Sequence, residues 1–223
     1  MKLWDKNNSG NEKIIEFTIG HDRLNDMHLI KYDLKASISH AKMLYKSNLL
    51  SEIECDRIIN ILNEMLSQAE SGELKIEKEF EDMHSKIEYT LISRLGDIGK
   101  KIHTARSRND QVLVSIQLYL IDELNFIKTE VKSLFDLLIN LAKKNKNIIM
   151  PGYTHMRAAM PSSFGLWFSA YAEILIDDVI SLNSTIEIIN QNTLGSAAGY
   201  GTSFNIDRDF TTNDLNFKTL KYN

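Results

Sequence analysis

The sequence has few of the residues that interrupt or cross-link a chain. Cys55 is the single cysteine, so no disulfide can form within the chain and a reducing compartment is expected. Two prolines and ten glycines in 223 residues favour long uninterrupted helices. No run approaches the roughly 20 apolar residues of a membrane span, and the polar start MKLWDKNNSGN lacks the apolar core of a signal peptide. We therefore expect a cytoplasmic protein without a membrane partner.

The charges show no strong excess of either sign. Lys and Arg number 26 against 30 Asp and Glu, which leaves a net charge of −4. This balance gives no indication of the basic surface typical of nucleic-acid binding, so we predict no nucleic-acid partner. Hydrophobic residues make up 43% of the chain and charged residues 25%, the usual proportions of a globular protein.

Apolar residues recur at helical spacing over most of the chain. The first such segment runs from about Leu24 to Leu49. Ser51 begins the next helix with Glu54 three residues later, the spacing of a capping box, and Gly72 ends it. A third helix is predicted to end near Gly96 or Gly99.

The most regular pattern lies between Asp110 and Lys144, where apolar residues step by three or four positions and average 3.5. A helix of this length would measure about 50 Å and is apolar on more than one face, as in the centre of a helical bundle. A second long helix, with Pro161 as its first residue and an apolar pattern from Phe164 to about Asn190, is predicted to run back along it. Residues 151–165 would then form a loop or a short helical turn.

These patterns predict an all-α fold. A small N-terminal helical domain would cover residues 1–105, and a bundle of long helices would cover residues 106–223.

The sequence HTARSRNDQV, residues 103–112 and here called the arginine stretch, concentrates polar chemistry at the start of the long helix. A guanidinium group offers a planar fork of donors that matches a carboxylate, and a helix start also favours anions. The stretch is therefore a candidate cradle for a dicarboxylate, formed by Arg106, Ser107, Arg108 and Asn109. The alternative is a solvated, charged helix cap.

Two histidines are candidates for proton transfer. His84 follows Asp82 and Glu81, so it is either a general acid tuned by carboxylates or a surface histidine in an acidic helix start. His155 lies with Thr154 between the two long helices, where a rigid scaffold could hold an acid or base. The spacing around His84 is a weak metal signal, and we predict no metal.

The glycine-rich segment, residues 194–203 with the sequence LGSAAGYGTS, allows close backbone approach, and a flexible connector is the alternative. It follows no strand and lacks the GxGxxG spacing, so it predicts no dinucleotide cofactor.

Several of these stretches together resemble the argininosuccinate lyase family of the aspartase/fumarase superfamily. In chain order they are KLW, FTIGHD, DLKASISHAKML, EDMHSKIE, HTARSRNDQV, PGYTHM with AMPSSFG, and LGSAAGYGTSF. This order, over residues 2–223, is the family's order. The resemblance implies reversible cleavage of argininosuccinate to arginine and fumarate by β-elimination, without a cofactor. It also implies a homotetramer whose sites are shared between subunits.

The resemblance also implies roles for single residues. His155 falls on the family's catalytic histidine and His84 on a second active-site histidine. Substrate contacts are implied for Thr18, Arg108, Asn109 and Thr154, to which the arginine stretch adds Arg106 and Ser107.

Two departures from the family stand out. Arg157 occupies the place of a glutamine, and the later GSSxMPxKKN signature loop, with the serine usually assigned as base, is not in these 223 residues. We therefore expect a truncated bundle that is inactive by itself. Two alternatives stay open: another lyase of the same superfamily, or a non-catalytic helical assembly module or remnant.

Overall fold

The computed structural model describes Ile14, Phe17 and residues 19–222. Over these residues the chain is mainly helical, which confirms the all-α prediction. The helices are α1 (Asp22–Lys46), α2 (Glu52–Glu70), α3 (Met83–Leu95), the one-turn α4 (Asp97–Lys100), α5 (Arg108–Asn145), α6 (Phe164–Ile189) and α7 (Arg208–Asp214). A 3-10 turn occupies Lys101–His103. The strands are β1 (Ile149–Thr154), β2 (Arg157–Ser163), β3 (Gln191–Asn192) and β4 (Thr219–Leu220).

The described chain divides into two compact units. Unit one takes in the residues up to Tyr119 and again from Asn190 onward, and unit two is Leu120–Ile189. The boundary expected between residues 105 and 106 stays a prediction.

The hydrophobic core of unit one lies between α1, α2 and α3. Leu34, Ile58 and Leu91 contribute one fully buried side chain from each helix, and Ile102 joins them from the 3-10 turn. Burial of each such side chain stabilises the fold by about 1.5–3 kcal/mol relative to exposure. The start of α2 is capped as expected: Ser51 Oγ accepts a hydrogen bond from the Glu54 N–H, and Glu54 accepts one from the Ser51 N–H.

The last part of unit one is anchored by a buried amide. Asn192, in β3, donates from Nδ2 to the hydroxyl groups of Thr211 and Thr212 and accepts the Leu194 N–H. Strand β3 also pairs in parallel with β4. These contacts fix the point at which the chain enters the glycine-rich segment.

Unit two is a helical hairpin made from α6 and the greater part of α5. Lys128 Nζ donates to Asn183 Oδ1 at 2.8 Å, and Gly165 lies against Lys146 at the other end, so the two helices run side by side and antiparallel. At the base of the hairpin a Cβ built on Gly165 would lie 2.6 Å from Lys146 Cα, so only glycine fits there. Within unit two only Ala142, Gly165 and Ala172 are buried.

The connection between these helices differs from the prediction of a loop or helical turn. It is an antiparallel pair of strands in which Ile149 lies opposite Ser163 and Thr154 opposite Arg157. The prediction that Pro161 opens the second long helix was wrong. Pro161 lies in β2, a strand of a two-stranded sheet in which proline is tolerated. The helix begins at Phe164, and Ser163 Oγ accepts the Leu166 N–H as its cap.

Candidate functional site

Arg106 points into unit one and away from solvent. It is 9% exposed, and its Nη1 donates to Ser37 Oγ on α1 at 2.9 Å. Burial lowers the pKa of Arg106, while the negative charges of Asp33 and Asp110 oppose that shift. The solvated-cap alternative for the arginine stretch is therefore wrong at Arg106, which anchors the stretch to α1.

Arg108, the first residue of α5, remains partly exposed and pairs with a carboxylate. Its Nη1 lies 2.8 and 2.7 Å from the two oxygens of Asp82. Asp82 also caps α3 by accepting the Ser85 N–H at 2.7 Å. Burial alone would raise the pKa of Asp82, but the hydrogen bond from Ser85 and the charge of Arg108 lower it below its ordinary value. The two guanidinium groups of the stretch thus have different surroundings.

Ser107 and Asn109 complete the start of α5. Ser107 Oγ accepts from both the backbone N–H and the side-chain amide of Asn109, each at 3.3 Å. Asn109 is exposed. A partly exposed guanidinium, an exposed amide and the positive end of the helix dipole therefore lie within three residues, an arrangement that favours anions.

His84 is buried, so the surface alternative for this residue is wrong. Its Nδ1 lies 2.9 Å from Asp33 Oδ2, and Gln111 Nε2 donates to both oxygens of the same carboxylate at 2.9 and 3.1 Å. Burial alone would raise the pKa of Asp33, but the charge and hydrogen bond of His84, together with Arg106 and Gln111, lower it. The ionised carboxylate of Asp33 can only accept a hydrogen bond, so Nδ1 of His84 carries the proton that it donates. Nε2 is then the ring nitrogen left for proton exchange.

Thr154 and His155 belong to unit two, at the turn between β1 and β2. Both are exposed. His155 and Met156 form the turn with φ values of 47° and 64°, the positive angles that a two-residue hairpin turn requires. Two non-glycine residues in this conformation store strain, and strained backbone concentrates at functional sites.

The structure thus brings five of the predicted site residues together in unit one: His84, Arg106, Ser107, Arg108 and Asn109. It places Thr154 and His155 in unit two, and Thr18 lies outside the described residues.

Sequence reasoning missed the residues that hold this site. Asp33 contacts His84 across 51 residues and Gln111 across 78 residues, separations that no local spacing reveals. One signal was available: Asp33, Ser37 and His40 recur at steps of four and three on α1, and all three are buried. A polar stripe on a buried helix face indicates a polar network.

Over the described part of the chain, no group of three or more His, Cys, Asp or Glu side chains is arranged to hold a metal ion. None of the helices in that part combines the length and the apolar character that a membrane crossing requires.

Comparison with known proteins gives consistent matches. The Lyase family model matches residues 16–222. The argininosuccinate lyase of Phocaeicola vulgatus is 49% identical over 222 residues, which is 100% of this chain and 50% of the relative. That of Thermotoga neapolitana is 44% identical over 100% of this chain and 56% of its own length. A solved EDDS lyase variant with bound fumarate is 26% identical, with a TM-score of 0.78 over 88% of this chain and 38% of that chain. The chain spans about half the length of the curated relatives it matches.

Proposed function

Because the chain belongs to the Lyase family and has the fold of the aspartase/fumarase superfamily, we propose that it forms the succinyl-binding part of an argininosuccinate lyase. The complete protein would cleave argininosuccinate reversibly to arginine and fumarate by β-elimination. The observation that carries this proposal is the start of α5, where Arg108 and Asn109 lie beside the buried pair of His84 and Asp33.

The reaction explains why such a helix start is needed. Removal of a proton next to a carboxylate spreads negative charge onto that carboxylate, so the site must supply donors that are already in place. Arg108 and Asn109 would bind the fumarate-side carboxylate. Asp82 occupies Nη1 of Arg108, and among the described residues no hydrogen bond is found for the other two guanidinium nitrogens. Those nitrogens would bind the substrate.

Proton transfer is proposed for the two histidines. Asp33 holds the ring of His84 in one orientation, as a general acid or base requires, and Gln111 in turn holds the Asp33 carboxylate. His155 would act from the strained turn of unit two, and Thr154 and Thr18 would contact the substrate with their hydroxyl groups. Ser107 would orient Asn109. For Arg106, direct contact with the substrate stays a prediction, since its observed partner is Ser37.

The proposed enzyme would work as a cytoplasmic homotetramer without a cofactor, with sites built from several subunits. The argininosuccinate lyases of Phocaeicola vulgatus and Thermotoga neapolitana support the substrate, and the EDDS lyase variant with bound fumarate supports the product. The complete protein, not this chain alone, would carry the activity.

The test is Arg108→Lys in the complete protein, with fumarate release from argininosuccinate followed by ultraviolet absorbance. Lysine keeps the charge but loses the fork of donors. Loss of one charge-assisted hydrogen bond costs about 1.5–3 kcal/mol, so KM should rise roughly 10- to 100-fold. Arg57→Lys, at an exposed position on α2, is the matched control and should leave KM unchanged.

Two results would contradict the proposal. One is an unchanged KM in Arg108→Lys. The other is a wild-type protein that releases no fumarate from argininosuccinate but turns over adenylosuccinate or aspartate, which would indicate another lyase of the superfamily.

A second candidate function is a helical assembly module without catalysis. Unit two favours it, because large apolar side chains are exposed along both helices: Leu137 is 55% exposed, Ile174 58% and Ile188 66%. Sedimentation of this chain by itself should then show self-association, and neither this chain nor the complete protein should release fumarate from argininosuccinate. Fumarate release by either would exclude this candidate.

A further inference from the structure

Asp110 joins two segments that are far apart in sequence. Its side chain, on the third residue of α5, is fully buried. Oδ1 accepts the Ser107 N–H at 2.8 Å, which closes the cap of α5. Oδ2 accepts the N–H groups of Gly195 and Ala197 at 2.8 and 2.9 Å. A single carboxylate thus links the arginine stretch to the glycine-rich segment.

The glycine-rich segment depends on such a link. Gly195, Ala197, Gly199 and Gly201 all have positive φ values, so the segment follows neither a helix nor a strand. At its start, Arg208 Nε donates to the Leu194 carbonyl at 3.0 Å. Beyond that point, Ala197 has a left-handed conformation that a side chain disfavours, and the carboxylate of Asp110 holds its N–H in place.

The position of this carboxylate relates it to the proposed site. Asp110 follows Arg108 and Asn109 directly in the chain, and Gln111, the next residue, holds Asp33 and through it His84. Displacement of Asp110 would therefore change the spacing between the glycine-rich segment and the residues proposed to bind the succinyl group.

We propose that Asp110 is a positioning residue that holds the glycine-rich segment as one wall of the carboxylate site formed by Arg108 and Asn109. This inference rests on the proposed function for its substrate, but the link between the two segments is independent of it. Asp110 contacts no substrate and acts only through the backbone groups that it orients.

Asp110→Asn tests the link, because asparagine keeps the shape of the side chain but has one acceptor oxygen where aspartate has two. In the complete protein, hydrogen exchange at the Gly195 and Ala197 amides should become at least about 10-fold faster, while exchange in α2 is unchanged. KM for argininosuccinate should rise about 10-fold with kcat changed by less than about 3-fold, since binding is affected more than chemistry. Asp56→Asn, an exposed carboxylate on α2, is the control and should match the wild type in both measurements.

A double variant, Asp110→Asn with Ala197→Gly, is the second test in case Asp110→Asn does not fold. Glycine adopts the positive φ at position 197 without a steric penalty, so the backbone conformation costs less while one acceptor oxygen is still missing. Exchange at Gly195 that is faster than in the wild type and a KM raised about 3-fold would support the proposal.

Wild-type exchange rates at both amides in Asp110→Asn, or a KM within 2-fold of the wild type in both variants, would overturn it. If the wild type shows no turnover of argininosuccinate, the proposed function fails. The exchange measurements would still decide whether Asp110 links the two segments.

Discussion

Units one and two are both built from helices with apolar periodicity, but unit one buries its large apolar side chains and unit two exposes most of them. Unit one buries a core between three helices and also buries polar groups, among them Asp33, His40 and Arg106. Unit two leaves most of its large apolar side chains exposed and buries three small residues. A regular apolar stripe therefore predicts a helix, but it does not tell whether the partner of that stripe lies within the same unit.

The two candidate catalytic histidines follow the same division. His84 is locked in a buried network, whereas His155 lies exposed at a turn. Substitutions of buried residues in unit one should therefore change both stability and activity, while substitutions on the exposed faces of unit two should change activity or assembly alone. Three experiments test this comparison.

The largest effect is expected when the two histidines are each replaced by asparagine in the complete protein. His155→Asn should lower kcat by about 10²- to 10⁴-fold, the usual contribution of a general acid or base. Its melting temperature should stay unchanged, because the side chain is exposed and asparagine tolerates the positive φ. His84→Asn should lower kcat and also cost about 1–3 kcal/mol in the free energy of unfolding, since Asp33 loses a buried partner.

Steady-state fumarate release and thermal unfolding measure the two effects separately. Equal losses of stability in both variants would contradict the division between the units.

A second experiment compares leucines in the isolated chain. Leu34→Ala leaves a cavity in the core of unit one and should lower the free energy of unfolding by about 2–5 kcal/mol. Leu137→Ala, at a side chain that is 55% exposed in unit two, should change it by less than about 0.5 kcal/mol. Urea unfolding at low protein concentration measures both. A loss above about 2 kcal/mol in Leu137→Ala would show that another molecule covers this face.

The smallest effect concerns pH and a buried histidine of unit one. Burial, with repulsion from Arg106 and His103, lowers the pKa of His40 to about 3, although Nε2 donates to the Thr104 carbonyl. The folded chain therefore keeps His40 neutral, while the unfolded chain binds a proton below about pH 6.5. The contribution of His40 to the free energy of unfolding is fully present above pH 6.5. This contribution decreases by about 1.4 kcal/mol per pH unit as the pH falls from 6.5 toward 3.

His40→Asn isolates this contribution, because the carboxyl groups titrate alike in both proteins. Between pH 6.5 and 5, the wild type should lose more stability than the variant, by about 2 kcal/mol. Parallel curves for the two proteins would show that His40 is not held neutral.

The helices could be predicted from the sequence because their signals are local. The box formed by Ser51 and Glu54 and the apolar steps of α5 depend on residues three or four positions apart. The strand pair of unit two could not be predicted, because most of its residues are exposed and show no alternation of apolar and polar side chains. Its register joins Pro151 to Pro161, a pairing that tertiary structure decides.

The candidate site was predicted in part. The arginine stretch and His84 stood out by residue type, but whether they were buried or exposed depended on α1. The fully buried Asp33 unites His84, Arg106 and Gln111 by charge and hydrogen bonds across three helices. Burial of this carboxylate is a property of packing, which spacing along one helix does not contain.

The absent side chain at Gly165 sets the clearance between the two long helices of unit two. A methyl group there would collide with the backbone of Lys146 and with the Ala142 carbonyl, 2.9 Å away, so Gly165→Ala would act as a wedge at the closed end of the hairpin. A wider separation at that end would change the angle between α5 and α6, and with it the position of each apolar side chain farther along α6. A single methyl group would thus change the apolar surface that unit two offers to other molecules, without altering any residue of the arginine stretch.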